Sequence, residues 1–166
     1  MKDKITIINT GGTFNKRYNP LKGLLDVPSD HISLDKITSW CHNIDFEIID
    51  ILSKDSLEIN DDDRQILVDT INIQQTDKII IIHGTDTVDA TAEFVKKQIS
   101  DKKIVFTGAM IPMSIDEVEA TMNFSMALGF LSSDVKHGTY LAMHGVVVES
   151  SRLQKDKKLG KFLLSS

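Results

Sequence analysis

The chain has 166 residues, 41% of them hydrophobic and 26% charged, with a formal net charge of −5. That length fits one domain with a sizeable core, and no apolar run approaches the ~20 residues of a membrane span. A weakly acidic chain with no dense basic face does not read as a nucleic-acid partner, and Cys41, the only cysteine, excludes an internal disulfide.

Met1-Lys2-Asp3-Lys4 leads straight into a strand rather than into a secretory signal, so the expected compartment is the cytoplasm. The first strand is expected over Lys4–Asn9. Ser33–His42 reads as a helix with Ser33 as its N-cap, and Phe46–Leu52 as a strand. Asn60 and the three aspartates after it open a helix that runs to about Gln74, with carboxylates at the positive end of the dipole. Lys78–His83 is a continuous apolar run, as a strand covered on both faces requires. A helix over Thr87–Ile99, a strand over Lys103–Thr107 and a helix over Val118–Leu131 follow. Thr139–Val148 reads as one strand, or as two broken at Gly145.

Strands alternating with helices imply right-handed crossovers and a parallel sheet covered on both faces. The expected fold is α/β, a three-layer α/β/α sandwich over residues 1–166 as a single domain. Two segments do not fit the alternation. Phe14–Asp30 reads as a long polar loop, of the kind that is functional or mobile in a compact domain. Ser150–Ser166 is a lysine-rich tail with no clear partner element.

In an open parallel sheet, ligands bind beyond the carboxyl ends of the strands. The unusual residues of this chain fall there: Thr10-Gly11-Gly12-Thr13, Ser53–Glu58, His83-Gly84-Thr85-Asp86-Thr87, Thr107-Gly108-Ala109-Met110 and His144-Gly145. One such segment would be plain turn chemistry. Their recurrence at one rim describes a pocket of hydroxyls and backbone N–H groups. A phosphate cradle is disfavoured, because neither G-x-x-x-x-G-K-[ST] nor G-x-G-x-x-G occurs and no helix follows Thr13 closely. Acyl transfer fits better. Thr13 offers a hydroxyl on a glycine-loosened turn, Asp86 a carboxylate, and the N–H groups of residues 85–87 a helix start able to hold an oxyanion. Such a hydroxyl needs a nearby base, for which a neutral lysine or a tyrosinate would serve.

These segments resemble the bacterial-type L-asparaginases, in their amino-terminal domain. INTGGT at 8–13 is similar to the first family signature and IIHGTDTVDATAEF at 81–94 to the second. VFTGAMIP at 105–112 is similar to the strand and turn that follow, and EATMNFSMAL at 119–128 to the helix opening where the family has Asp-Gly-Pro-x-Asn. The resemblance implies a flavodoxin-like doubly wound sheet and hydrolysis of L-asparagine. It implies Thr13 as nucleophile, Thr85 and Asp86 as the second threonine and its aspartate, and Ser56 as a ligand for the substrate carboxylate. Lys155 stands where the family places the lysine that partners the second threonine, and Tyr18 stands for the tyrosine of the loop over the site. Gly12 and Ala109 join Ser56, Thr85 and Asp86 as substrate-binding candidates.

His83 and His144 end strands and read as structural. No ligand cluster has metal spacing, and the resemblance implies no metal or organic cofactor. The family's smaller carboxy-terminal domain, which contributes an acidic residue to a neighbour's site, has no counterpart in the sequence. Leu57 replaces a glutamine or serine, and Glu119 an aspartate. A second subunit, the tail or a local carboxylate such as Glu149 would have to supply the acid, and a homodimer or homotetramer is expected. Two alternatives stay open: a protein that binds a small amino acid or amide without turnover, and an amidohydrolase acting on glutamine or another amide.

Overall fold

The computed structural model describes residues 2–165. Its frame is a six-stranded sheet built from β1 (Asp3–Gly11), β4 (Ile44–Lys54), β5 (Lys78–Ile82), β6 (Lys103–Thr107), β7 (Gly138–Met143) and β8 (Val146–Glu149). The spatial order is β4-β1-β5-β6-β7-β8. The first five are parallel neighbours, and only β8 runs antiparallel, against β7. The parallel part has the flavodoxin-like winding, with the chain reversing direction across the sheet between β1 and β5.

The helices cover both faces. Leu67, Val68 and Ile71 of α2 (Asp61–Asn72) and Val88, Ala92 and Val95 of α3 (Val88–Lys96) pack on Ile8, Ile79, Ile81 and Phe106. Leu34 and Ile37 of α1 (Ile32–Thr38) and Ala120, Phe124, Ala127 and Leu131 of α4 (Glu117–Leu131) cover Ile5, Ile7, Ile80 and Val105 on the other side. Neighbouring isoleucines of β5 serve opposite cores, so the run 79–82 is apolar at every position.

Caps set the helix starts. Asn60 Oδ1 accepts the Asp63 N–H, and the Asp63 carboxylate accepts the Asn60 N–H, both at 3.0 Å. Helix α1 is shorter than Ser33–His42. Asp30 Oδ1 accepts the Ile32 N–H, which moves the start upstream and leaves Ser33 buried inside the first turn. At the other end the Thr38 and Ser39 hydroxyls donate to the Leu34 and Lys36 carbonyls, an alternative that competes with helix continuation.

Both irregular segments carry structure. The loop after Thr13 folds into a two-stranded hairpin, β2 (Arg17–Asn19) against β3 (Leu24–Asp26). Arg17 grips Asp30 with two bonds of 2.7 and 2.6 Å at its base. The tail forms a second hairpin, β9 (Leu153–Asp156) against β10 (Lys161–Leu164), anchored in the core by Leu153 and Phe162, 1% and 6% exposed.

Candidate active site

Three turns meet at the carboxyl ends of β1, β4 and β5 because glycines let their backbones touch. Gly12 has φ 76° and ψ 178°, a region open essentially to glycine alone. A Cβ on it would lie 2.5 Å from the Gly84 nitrogen. A Cβ on Gly84 would lie 2.6 Å from that of Ser56. Hydrogen bonds fix the same junction: Thr10 Oγ1 donates to the Ile82 carbonyl at 2.8 Å, and the Gly12 N–H to the Lys54 carbonyl at 2.9 Å. Buried Asn15 donates to the Gly11 carbonyl at 2.7 Å, holding the turn from inside. Thr13, half-buried, is therefore delivered beside the 83–86 turn as the first residue of a 3-10 turn.

The tail hairpin brings in the cation. Lys155 Nζ donates to Thr85 Oγ1 at 2.8 Å and to Asp86 Oδ1 at 2.7 Å. A hydroxyl, an amine and a carboxylate in series can hand a proton between them. Ser56, buried, is tied to the same turn: its Oγ accepts the Asp86 N–H at 3.1 Å, and its carbonyl accepts from Thr87 Oγ1 at 2.7 Å. The Thr87 hydroxyl is thereby diverted from capping α3, and the Asp86 N–H is engaged rather than open to an oxyanion. Ala109 is buried behind the rim, where Asn123 Nδ2 donates to the neighbouring Gly108 carbonyl at 2.9 Å.

Thr13, Thr85, Asp86, Lys155, Ser56, Gly12 and Ala109 thus lie along one rim. Tyr18 is set apart. It is 65% exposed on β2 and borders a cavity of about 620 Å3 with Arg17, Asp26, Pro28 and Ser53. Neither Thr13, Thr85, Asp86 nor Lys155 lines that cavity. Glu149 pairs with Tyr140 and lines a cavity with Lys96, Ile99 and His137, well away from Thr85.

Sequence reasoning missed the bridge between the first two turns. Lys16 Nζ donates to Asp55 Oδ2 at 2.6 Å, and this bond holds the Asp55 carboxyl below the usual carboxylate range. Neither residue carries a local signal, since the pair is read only once β1 and β4 are adjacent. His83 is buried against Phe106, its Nε2 has no hydrogen-bond partner, and burial pushes its pKa down to about 4. Among the described residues no group of three or more His, Cys, Asp or Glu side chains is placed to hold a metal ion. Among the described residues no helix is long and apolar enough to cross a membrane.

Known proteins share this architecture. An L-asparaginase of Thermococcus kodakarensis is 27% identical over 161 residues, covering 95% of this chain and 49% of that protein. A solved structure described as the thermostable L-asparaginase from Thermococcus kodakarensis superposes with a TM-score of 0.84 at 25% identity, covering 97% of this chain and 51% of that one. A protein of Haemophilus influenzae described as a probable periplasmic L-asparaginase is 28% identical over 165 residues, covering 91% of this chain and 46% of that protein. The chain spans about half the length of the curated relatives it matches. The family model "Asparaginase, N-terminal" matches residues 4–160, and on that ground the chain belongs to the asparaginase family, in the part that forms the family's amino-terminal domain.

Proposed function

We propose that this protein hydrolyses L-asparagine to L-aspartate and ammonia, with Thr13 as nucleophile. Thr13 Oγ attacks the side-chain amide carbon, and the backbone N–H of Thr85, rather than the engaged one of Asp86, holds the oxyanion. The hydroxyl proton travels through Thr85 and Lys155 to the amide nitrogen, which leaves as ammonia. Water then cleaves the acyl ester, restoring the Thr13 hydroxyl and releasing L-aspartate. Asp86 receives the substrate's α-ammonium and Ser56 its α-carboxylate, while Gly12 and Ala109 line the reacting end. Tyr18, on the neighbouring hairpin, takes the part of the loop tyrosine in this reading.

The observation that carries this reading is Lys155 on both Thr85 Oγ1 and Asp86 Oδ1, next to the Gly12–Gly84 contact that sets Thr13. The chemistry needs no cofactor. In this reading the protein works as a homodimer or homotetramer in the cytoplasm.

The test is ammonia release from L-asparagine, with L-glutamine and the Thr13→Ala variant in parallel. Release that Thr13→Ala abolishes, with the fold intact by circular dichroism, supports the reading. Release unchanged in Thr13→Ala removes Thr13 from the role. Asparagine binding by calorimetry without release would mean a binding protein, and preference for glutamine would reassign the substrate.

A further inference from the structure

One cluster at the rim has no part in the chemistry above. Glu119 Oε1 accepts the Met110 N–H at 2.8 Å, and Oε2 accepts the Ile111 N–H at 3.0 Å. The same Oε1 lies 2.9 Å from His144 Nε2. On the other side of the ring, the Phe162 N–H donates to His144 Nδ1 at 3.4 Å. Nδ1 is thus the acceptor, and Nε2 carries the proton that Glu119 takes up in a hydrogen bond. The Phe162 ring stands edge-on to the imidazole, with centroids 5.6 Å apart and planes at 85°. Phe162 pairs directly across from Lys155 in the β9–β10 hairpin. A continuous line of contacts therefore runs from the base of α4 through His144 to the strand pair that presents Lys155.

The backbone gives a second, independent observation. Among the described residues His144 is the only non-glycine with positive φ, at 50°, and Gly145 follows at 96°. They form the two-residue turn between paired Met143 and Val146, a type I′ geometry that favours Asn-Gly. Histidine is one of the few non-glycine residues enriched in that region, and here the turn aims its ring between Glu119 and Phe162. Asn123 holds the turn in place, accepting the His144 N–H at 3.0 Å.

We propose that His144, oriented by Glu119, is a positioning residue that clamps the tail hairpin so that Lys155 meets Thr85 and Asp86. The catalytic consequence rests on the asparaginase reading; the clamp itself does not.

His144→Asn tests it, because asparagine suits the turn but is too short to reach both Glu119 and Phe162. The melting temperature should be unchanged or higher. Reductive methylation with formaldehyde and cyanoborohydride, resolved by lysine in a mass spectrometer, reads the clamp without any turnover. Lys155 should be modified about tenfold faster in the variant, as expected for loss of roughly one effective hydrogen bond. Exposed Lys157 and Lys158 should be unchanged. Glu119→Gln, which keeps the ring but loses one acceptor, should move Lys155 in the same direction and covers the case of a misfolded His144→Asn. Equal Lys155 labelling in wild type and variants overturns the clamp.

In turnover, His144→Asn should lower kcat about tenfold with little change in KM. It should have no further effect in a Lys155→Met background, since both substitutions then act through one group. Additive losses would mean that His144 acts otherwise than through Lys155, and would overturn the proposal. A wild-type protein that releases no ammonia would sink the asparaginase reading, while the labelling result still decides the clamp.

Discussion

Replacing Gly12 by alanine tests whether backbone contact, rather than side-chain chemistry, assembles the rim. Two penalties meet at this position. The backbone, at φ 76° and ψ 178°, is one that an L side chain resists, at about 1–3 kcal/mol. The added Cβ would also fall 2.5 Å from the Gly84 nitrogen and 2.6 Å from its Cα, backbone atoms that cannot rotate away. Overpacking of that kind adds roughly 1–3 kcal/mol. The gain from a stiffer unfolded chain returns about 0.4–1 kcal/mol. The sum is about 3–4 kcal/mol, equal to a fall of about 10 °C in melting temperature for a chain of this size. Gly23 is the control. It also has positive φ, 67°, but a Cβ there meets nothing within 4 Å. Gly23→Ala should lose only about 0.5–1 kcal/mol, the left-handed penalty less the unfolded-state gain. Urea unfolding of both variants, with ammonia release measured on the folded fraction, separates strain from contact. If the two variants lose equal stability, the Gly12–Gly84 approach does not matter and the argument for how Thr13 is placed fails.

Other outcomes follow from the same geometry. Lys155→Met should leave the sheet folded and lower kcat by about 10²–10⁴-fold, the usual contribution of a proton-transferring group; ammonia release near wild type would dismiss it from the chemistry. His83 gives a pH prediction. Its ring titrates near 6.5 when unfolded but at about 4 when folded, because it is buried. Between those values the unfolded chain binds the extra proton, so stability falls as pH drops from about 6.5 to 4, by up to about 3 kcal/mol. Urea midpoints across that range should show the slope, and His83→Gln should flatten it.

The strands were the most legible part of the molecule. Ile79–Ile82 sits between two helical layers, so its own composition reports its surroundings. Gly12 and Thr13 stood out because glycine and hydroxyl residues interrupt an apolar run. The two hairpins did not stand out. Strands of three and four residues are too short for a periodicity to show, and the tail is fixed by only two apolar anchors, Leu153 and Phe162. Lys155 was legible through the family resemblance alone; from composition it is one lysine among several in a charged tail. Lys16 with Asp55, and Glu119 with His144, are contacts between turns far apart in the chain, and no local pattern encodes them.

The slender attachment of the tail hairpin has a consequence for heat. Proteins open in cooperative units smaller than the whole, and a unit opens more readily the less apolar surface it buries. The six-stranded sheet has two cores holding it, whereas the β9–β10 ribbon leans on two side chains and the imidazole of His144. Lys155 belongs to the weaker unit and Thr13 to the stronger. On warming, the ribbon would lift first, taking the amine from Thr85 while the sheet stays folded. Activity would then vanish reversibly several degrees below the calorimetric transition, and it would return on cooling at the speed of a local rearrangement rather than of refolding.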